Sequence, residues 1–503
     1  MKILISRKRV LTLLGGIALS LLGFGLYVPI KNFINRYTAP RPEEVTWVNI
    51  FVHGSFGSLL GFLSFSDVLS DKVSGTIYRD TTKKMRMDDF FFKDQPILQR
   101  GLRRIQPTLE ARETGFKSYA VYPISTAFLE IAKEYELGLY GREFRTRQVF
   151  YSFGWSGLIS QNSRRYEAIR LYNSLVAEIK KLKNEYSYKL KIRLIAHSHG
   201  GNLCLNLAAI HKLLKTKHAF GEDTVFSADP DEQGSLVSMM TLLKGLTTKE
   251  IAATKVDQKM YDYFPESSDL VIDQLVMLGT PIQPETESFS YSPFFKEVYN
   301  LYSDEDYVQR ADWVSSKKSL SSARIAKKPT LQAVKSNDIA TLYQGQIIIK
   351  SSTDIPAAKQ APSVPAGEVE QMNIFQQLLA GKNIFVRKSA DPTHKELWFL
   401  NWEKSTEGNS VLPCAPLPVV VFLPLILDAF KKPKSPHDAV IIMGMDKKKF
   451  TVSIAKYKTK EIVNNAEVTT ELVEYLQEKV REWAPKDTTG LSEFEVINKI
   501  VAP

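Results

Sequence analysis

The chain has 503 residues, 44% hydrophobic and 24% charged, which is enough apolar material for one large domain with insertions or for two domains. Its formal net charge of +11 suits an anionic membrane surface, nucleic acid or an acidic substrate. The lysines and arginines are spread along the chain without a nucleic-acid motif, so no nucleic-acid partner is expected, and two cysteines, Cys204 and Cys414, make no disulfide framework.

Residues 1–9 are short and basic, with Lys2, Arg7, Lys8 and Arg9. Residues 10–30 are an apolar run without a charge. At roughly 1.5 Å per residue such a run spans a bilayer core. It ends in Leu26-Tyr27-Val28-Pro29-Ile30-Lys31, which lacks the small-x-small site of a cleaved signal peptide, and so reads as a single transmembrane signal anchor. The basic N-terminus places the main domain on the non-cytoplasmic side. Lys31, Arg36 and Arg41 beyond the span weaken that argument, and a tether to a cytoplasmic membrane face stays open. Residues 31–47 contain a Pro- and charge-rich linker.

Val48–Val52 reads as a buried strand running into His53-Gly54-Ser55-Phe56-Gly57-Ser58. Residues 59–117 are too long for a plain loop and read as an insertion with helices of its own, either a lid or inert packing. Tyr119–Tyr122 and Val149–Phe153 read as strands, the second followed by Gly154-Trp155-Ser156-Gly157. A helix follows, with Ala168, Tyr172, Leu175, Ile179 and Leu182 at three- and four-residue steps and Ser160, Asn162 or Ser163 as its cap. Ile192–Ala196 is an apolar run broken only by Arg193. It stops at His197-Ser198-His199-Gly200-Gly201, and Leu203, Leu207 and Ile210 start a helix. Strand, tight turn with a central serine, then helix is the context of a nucleophile elbow: the turn lifts the hydroxyl clear of the backbone, and the helix N-terminus offers free N–H groups to an oxyanion.

Residues 211–270 read as a second insertion, with an acidic, turn-rich Glu222–Gly234 and a helical Leu242–Ala253. Leu275–Leu278 and Val298–Tyr302 read as strands, ending in Gly279-Thr280-Pro281 and in Ser303-Asp304-Glu305-Asp306-Tyr307-Val308. Residues 315–367 are basic and polar, a third insertion in which Ile347–Lys350 suggests an edge strand. Ile384–Lys388 reads as the last sheet strand, followed by a loop containing His394. Pro413–Pro424 with Leu425–Phe430 is too short and too broken for a second membrane span. Val440–Tyr457 reads as a hairpin about Asp446-Lys447-Lys448, and Glu471–Trp483 as an amphipathic helix.

The Ser198 segment, the His53-Gly54 loop, Trp155-Ser156-Gly157, Leu278-Gly279-Thr280-Pro281 and the Asp306 loop together resemble the α/β-hydrolase superfamily, in its lipase- and esterase-like branch. The family pattern is Gly-x-Ser-x-Gly, and Ala196 stands here for the first glycine. The resemblance implies an α/β fold with a doubly wound, mostly parallel sheet over residues 48–400, leaving 401–503 as a C-terminal extension with a hairpin and a helix. It also implies a catalytic order Ser…Asp…His, with Ser198 as nucleophile. The spacing Ser-x-x-Asp-x-Val resembles the family's acid loop and picks Asp306, with Asp304 as alternative. His394, after the last strand, is the implied base, with His437 as alternative. The implied oxyanion donors are the N–H groups of Ser55 or Phe56 and of His199. Ser156 is a weaker nucleophile because position 158 is Leu.

The expected function is cleavage of acyl esters, lipid-like in view of the anchor and the basic charge, through an acyl-enzyme and without a cofactor. Acyl transfer would use the same residues, and a catalytically silent fold serving as a membrane-attached scaffold is the alternative of another class. His53, His197 and His199 suggest a metal cluster by residue type, but His197 and His199 flank a serine in a sharp turn, so no metal is expected.

Overall fold

The structure, a computed structural model, describes residues 45–55, 101–105, 121–140, 146–155, 160–186, 189–215, 229–246, 268–306, 321–327, 339–350, 391–400 except 395, and 412–482, with single positions at 157, 227, 265, 266 and 309. The expected anchor, residue Phe56, Ser156 and the strand Ile384–Lys388 lie outside the described residues. Among the described residues no helix is long and apolar enough to cross a membrane.

Ten strands form one sheet: β1 Val45–Val52, β2 Gly101–Ile105, β3 Arg147–Gly154, β4 Lys189–His197, β5 Ile272–Leu278, β6 Phe295–Tyr302, β7 Thr341–Ile349, β8 Asp438–Met445, β9 Lys449–Lys456 and β10 Ile462–Thr469. Their order is β10-β9-β8-β7-β6-β5-β4-β1-β3-β2. Pairing from β3 to β8 is parallel, and the flanking β2, β9 and β10 are antiparallel. The protein is therefore α/β with a mostly parallel, mixed sheet.

The inner strands are buried along most of their length because both faces are covered, and most of their buried residues are apolar. Val48, Ile50 and Val52 of β1 share a core with α2 (Gln161–Glu185), α3 (His199–Lys215) and α4 (Pro230–Lys244). Phe51 of β1, Phe150 of β3 and Ile195 of β4 point the other way. They join a second core with α1 (Val121–Tyr140), α5 (Leu423–Lys431) and α6 (Thr470–Glu482). The period-two alternation of a strand feeds both layers.

From β1 the chain moves outward to β3, then returns past β1 to β4 and continues to β8. The carboxyl ends of β1 and β4 thus flank the point where the winding reverses, where open α/β sheets leave a crevice for ligands.

Several elements differ from the sequence reading. Residues 121–140 are helix, not a strand at Tyr119–Tyr122. Pro123 is tolerated in a first helical turn, and Phe128, Ile131 and Tyr135 then recur at helical spacing on the core side. Gly101–Ile105, inside the insertion expected to be helical, is an edge strand on β3 whose outward Arg103 and Arg104 are exposed, as suits an edge. Within the acidic stretch residues 229–234 are a helix start: the Asp229 side chain accepts from the N–H groups of Asp231 (2.9 Å) and Glu232 (3.1 Å), with Pro230 opening α4. β7 lies inside the third expected insertion and is an inner parallel strand rather than an edge. Its Gln344-Gly345-Gln346 centre hid it. Gln344 Oε1 accepts from the Ile325 N–H (2.8 Å) and Gln346 Nε2 donates to Asp304 (2.7 Å), so these polar side chains are used in place.

The boundary at residue 400 is also corrected. Strands β8–β10 extend the same sheet, and Leu425, Ile426 and Phe430 of α5 sit in the core it shares with Phe51 and Val276. A chain ending at residue 400 is therefore expected to lose cooperative unfolding and to expose apolar surface. Urea denaturation with dye binding checks this, because a removable extension would leave a two-state transition.

Candidate active site

Strand β4 ends at His197 and α3 begins at His199, so Ser198 alone makes the turn. Its φ is 51°, in the left-handed region that a non-glycine residue enters at a cost of about 1–3 kcal/mol. Ser198 is 3% exposed and is held from both sides: its N–H donates to the Leu278 carbonyl (3.0 Å), and its own carbonyl accepts from the Gly201 N–H (3.0 Å).

The turn closes against the β1 loop at two places where a side chain will not fit. A Cβ on Gly54 would lie 2.6 Å from Ser198 Cβ, and one on Gly200 would lie 2.5 Å from the His53 carbonyl oxygen and 2.7 Å from that of Val52. The loop itself is pinned by His53, which is fully buried and stacked on Trp155 at 5.4 Å. The Trp155 backbone N–H donates to His53 Nε2 (3.1 Å), so the ring hydrogen sits on Nδ1 and donates to the Gly54 carbonyl (2.7 Å). The Trp155 indole N–H donates to the His53 carbonyl (2.7 Å).

On the other side of Ser198, Asp306 follows β6 and His394 sits on the connection between β7 and β8. His394 Nδ1 lies 2.8 Å from Asp306 Oδ2. With Nδ1–H donating to the carboxylate, Nε2 is left with its lone pair, the arrangement of a general base. Asp306 is fully buried, and its Oδ1 accepts from the Gln309 N–H (3.2 Å). Gly279, directly after the Leu278 that holds Ser198, has a φ of 59° and makes room for this pair: a Cβ there would lie 2.6 Å from Asp306 Oδ2 and 3.1 Å from His394 Nδ1.

His394 and Asp306 therefore pair against Gly279, next to the Leu278 carbonyl that holds the Ser198 turn, with His199 opening α3 and Ser55 closing the described part of the β1 loop. The alternatives are placed elsewhere. Asp304 accepts from Gln346. His437 precedes β8, at the amino end of the parallel strands, with Nδ1 3.1 Å from the Leu342 carbonyl and its ring on Tyr343. Both cysteines are buried, which pushes their thiols up, to about 12 for Cys414, so neither supplies a thiolate. Among the described residues no group of three or more His, Cys, Asp or Glu side chains is placed to hold a metal ion.

Two neighbours escaped the sequence reading. The spacing Asp306-x-x-Gln309 is a local capping pattern and was a usable signal. Trp398, stacked on His197 at 5.3 Å, had none, because only the fold brings it there. Burial, then the adjacent His394, pushes the His197 imidazole well below the ordinary 6.5.

No family model matches the chain, and no curated protein or solved structure matches it.

Gly200→Ala is expected to cost about 3 kcal/mol, because the atoms in the way are main-chain carbonyls that cannot swing aside. Urea denaturation of the variant measures it. His197 adds a pH term. As pH falls below about 6.5 the unfolded chain protonates this residue and the folded chain does not, so the unfolded state binds more protons and stability declines. In wild type the unfolding free energy should fall more steeply than in His197→Gln, by up to about 1.4 kcal/mol per pH unit, until the folded residue itself titrates. Equal slopes for the two proteins would contradict a neutral, buried His197.

Proposed function

We propose that this chain is a serine hydrolase of the α/β-hydrolase superfamily, attached to a membrane by its N-terminal segment and cleaving acyl esters of lipid-like character. The observation that carries the reading is the His394–Asp306 pair, 88 positions apart in sequence, lodged against Gly279 one residue beyond the carbonyl that holds the strained Ser198. A serine forced to a positive φ, between strand and helix and at the reversal point of the sheet, gains little from that geometry in packing alone.

In the proposed reaction His394 Nε2 takes the proton of the Ser198 hydroxyl as its oxygen attacks the ester carbonyl, while Asp306 holds the ring and offsets the imidazolium charge. The His199 N–H at the start of α3 and a donor from Ser55 or Phe56 receive the oxyanion. The imidazolium then protonates the departing alcohol. Water deprotonated by the same nitrogen attacks the acyl-enzyme, and the proton returns to Ser198 as the acid leaves. An acceptor alcohol in place of water turns the same cycle into acyl transfer. The lipid-like preference rests on the apolar N-terminal run and the +11 charge.

A fluorophosphonate probe tests the machinery without a known substrate. Wild-type protein in detergent is expected to label at Ser198, and Ser198→Ala is expected not to label. His394→Ala and Asp306→Asn should slow labelling by about 10³- to 10⁴-fold, with His437→Ala unchanged. A folded wild type that stays unlabelled, in detergent and with lipid micelles, would point instead to the silent scaffold.

A further inference from the structure

His197 is a group the proposed mechanism does not use, and it touches the mechanism's base. Its side chain is buried, and its ring lies 4.3 Å from that of His394, centroid to centroid, with Trp398 stacked behind and Phe399 edge-on at 5.5 Å. His197 Nε2 is 3.0 Å from the His394 main-chain carbonyl. A carbonyl only accepts, so the ring hydrogen is on Nε2 and Nδ1 carries a lone pair. That lone pair faces Gly54: a Cβ on Gly54 would lie 3.2 Å from it.

We propose that His197 is a positioning residue for the base: its Nε2–H fixes the backbone of His394 so that the ring bonded to Asp306 is also aimed at Ser198. The inference rests on the hydrolase reading. The His394 segment lies on a connection between β7 and β8 rather than on a strand or helix. Its neighbours are bonded around it, the Thr393 N–H to Glu396 (2.8 Å) and the Leu397 N–H to the Thr393 carbonyl (3.2 Å), and Asp306 holds the ring at Nδ1. The His197 bond adds an anchor from β4 on the main chain of His394 itself. His197 is well suited to the task because it is the last residue of β4 and directly precedes Ser198, so nucleophile and base are referred to the same strand end. The titratable groups that act on it are His394, His53 and His199. Burial and this cationic-capable surrounding keep its ring neutral, so the imidazolium formed on His394 meets no second charge of like sign there.

The test compares three variants by fluorophosphonate inactivation, resolving kinact from KI. Gln places an amide N–H near the position of Nε2, Asn places one near Nδ1 and stops short of the carbonyl, and Phe keeps the ring without a donor. His197→Asn and His197→Phe are expected to lower kinact on the order of ten- to a hundredfold, with KI within about threefold, and His197→Gln to stay within about threefold of wild type in both. Thermal melts identify the folded variants, and Asn serves where Phe does not fold. A folded Asn or Phe variant with wild-type kinact overturns the proposal, as does a folded Gln variant as slow as Asn. Wild-type labelling that is absent overturns the hydrolase reading and this proposal with it. Wild-type labelling that is lost in Ser198→Ala, with kinact indifferent to His197, overturns this proposal alone.

Discussion

The register of three neighbouring strands is the constraint on which the site depends. β1 pairs with β4 so that Val52 lies beside Ala196, and β4 pairs with β5 so that His197 lies beside Leu278. Two residues past the first pair are Gly54 and Ser198, and one past the second are Ser198 and Gly279. The three converge in a row across the carboxyl edge of the sheet. A slip of one residue would turn every side chain of the slipped strand to the opposite face and break both cores at once. The apolar alternation of Val48, Ile50 and Val52 against Phe51 therefore protects the site as well as the fold. The glycines follow from the register, because a row this tight leaves no volume for a Cβ on Gly54 or Gly200.

The opposite end of the same strands carries a different solution to burial. Arg193 is buried in β4, where Nε donates to Gln274 (2.6 Å) and a terminal nitrogen donates to Asn49 (3.0 Å), with the guanidinium over Trp47. Gln274 passes the network on to Glu297 (2.7 Å), which also accepts from Tyr299 (2.9 Å). Burial pulls the Arg193 guanidinium down to about 10, yet it stays charged near neutral pH and its donors are taken up by neighbours on β1 and β5. Polar side chains on four adjacent strands, β1, β4, β5 and β6, must match for this network to close, which ties the same register from the far end.

How much of this was readable from the residues varies with what each signal depends on. The Ser198 turn was legible because strand, serine, glycines and helix are contiguous. The histidine and acid loops were legible by order along the chain, and the geometry brings together the pair placed first, Asp306 with His394, and not Asp304 or His437. β7 was illegible because its middle is Gln344-Gly345-Gln346, polar groups whose partners, Ile325 and Asp304, come from other segments. The C-terminal strands were seen as a hairpin but not as part of the main sheet, since pairing of β8 with β7 spans some ninety residues and leaves no local trace. At α1 the short alternation around Tyr119–Tyr122 mimicked a strand, and the helical period beyond it decided the matter. Local patterns survive in the sequence, whereas choices made by distant partners do not.

The position of His394 between β7 and β8 has a consequence for the chain's history as well as its geometry. That segment lies far along the chain from Ser198 and is tied to residues later still: the Val419 N–H donates to the Glu396 carbonyl (3.0 Å) and the Val420 N–H to the Leu397 carbonyl (3.1 Å). A chain emerging from the ribosome thus completes β1, β4 and the Ser198 turn long before it can hold His394 against Asp306. Contacts of this sequence separation also form slowly. The order of synthesis thereby acts as a timer: the Ser198 turn is built early, and the His394–Asp306 pair closes beside it only after some four hundred residues have been made.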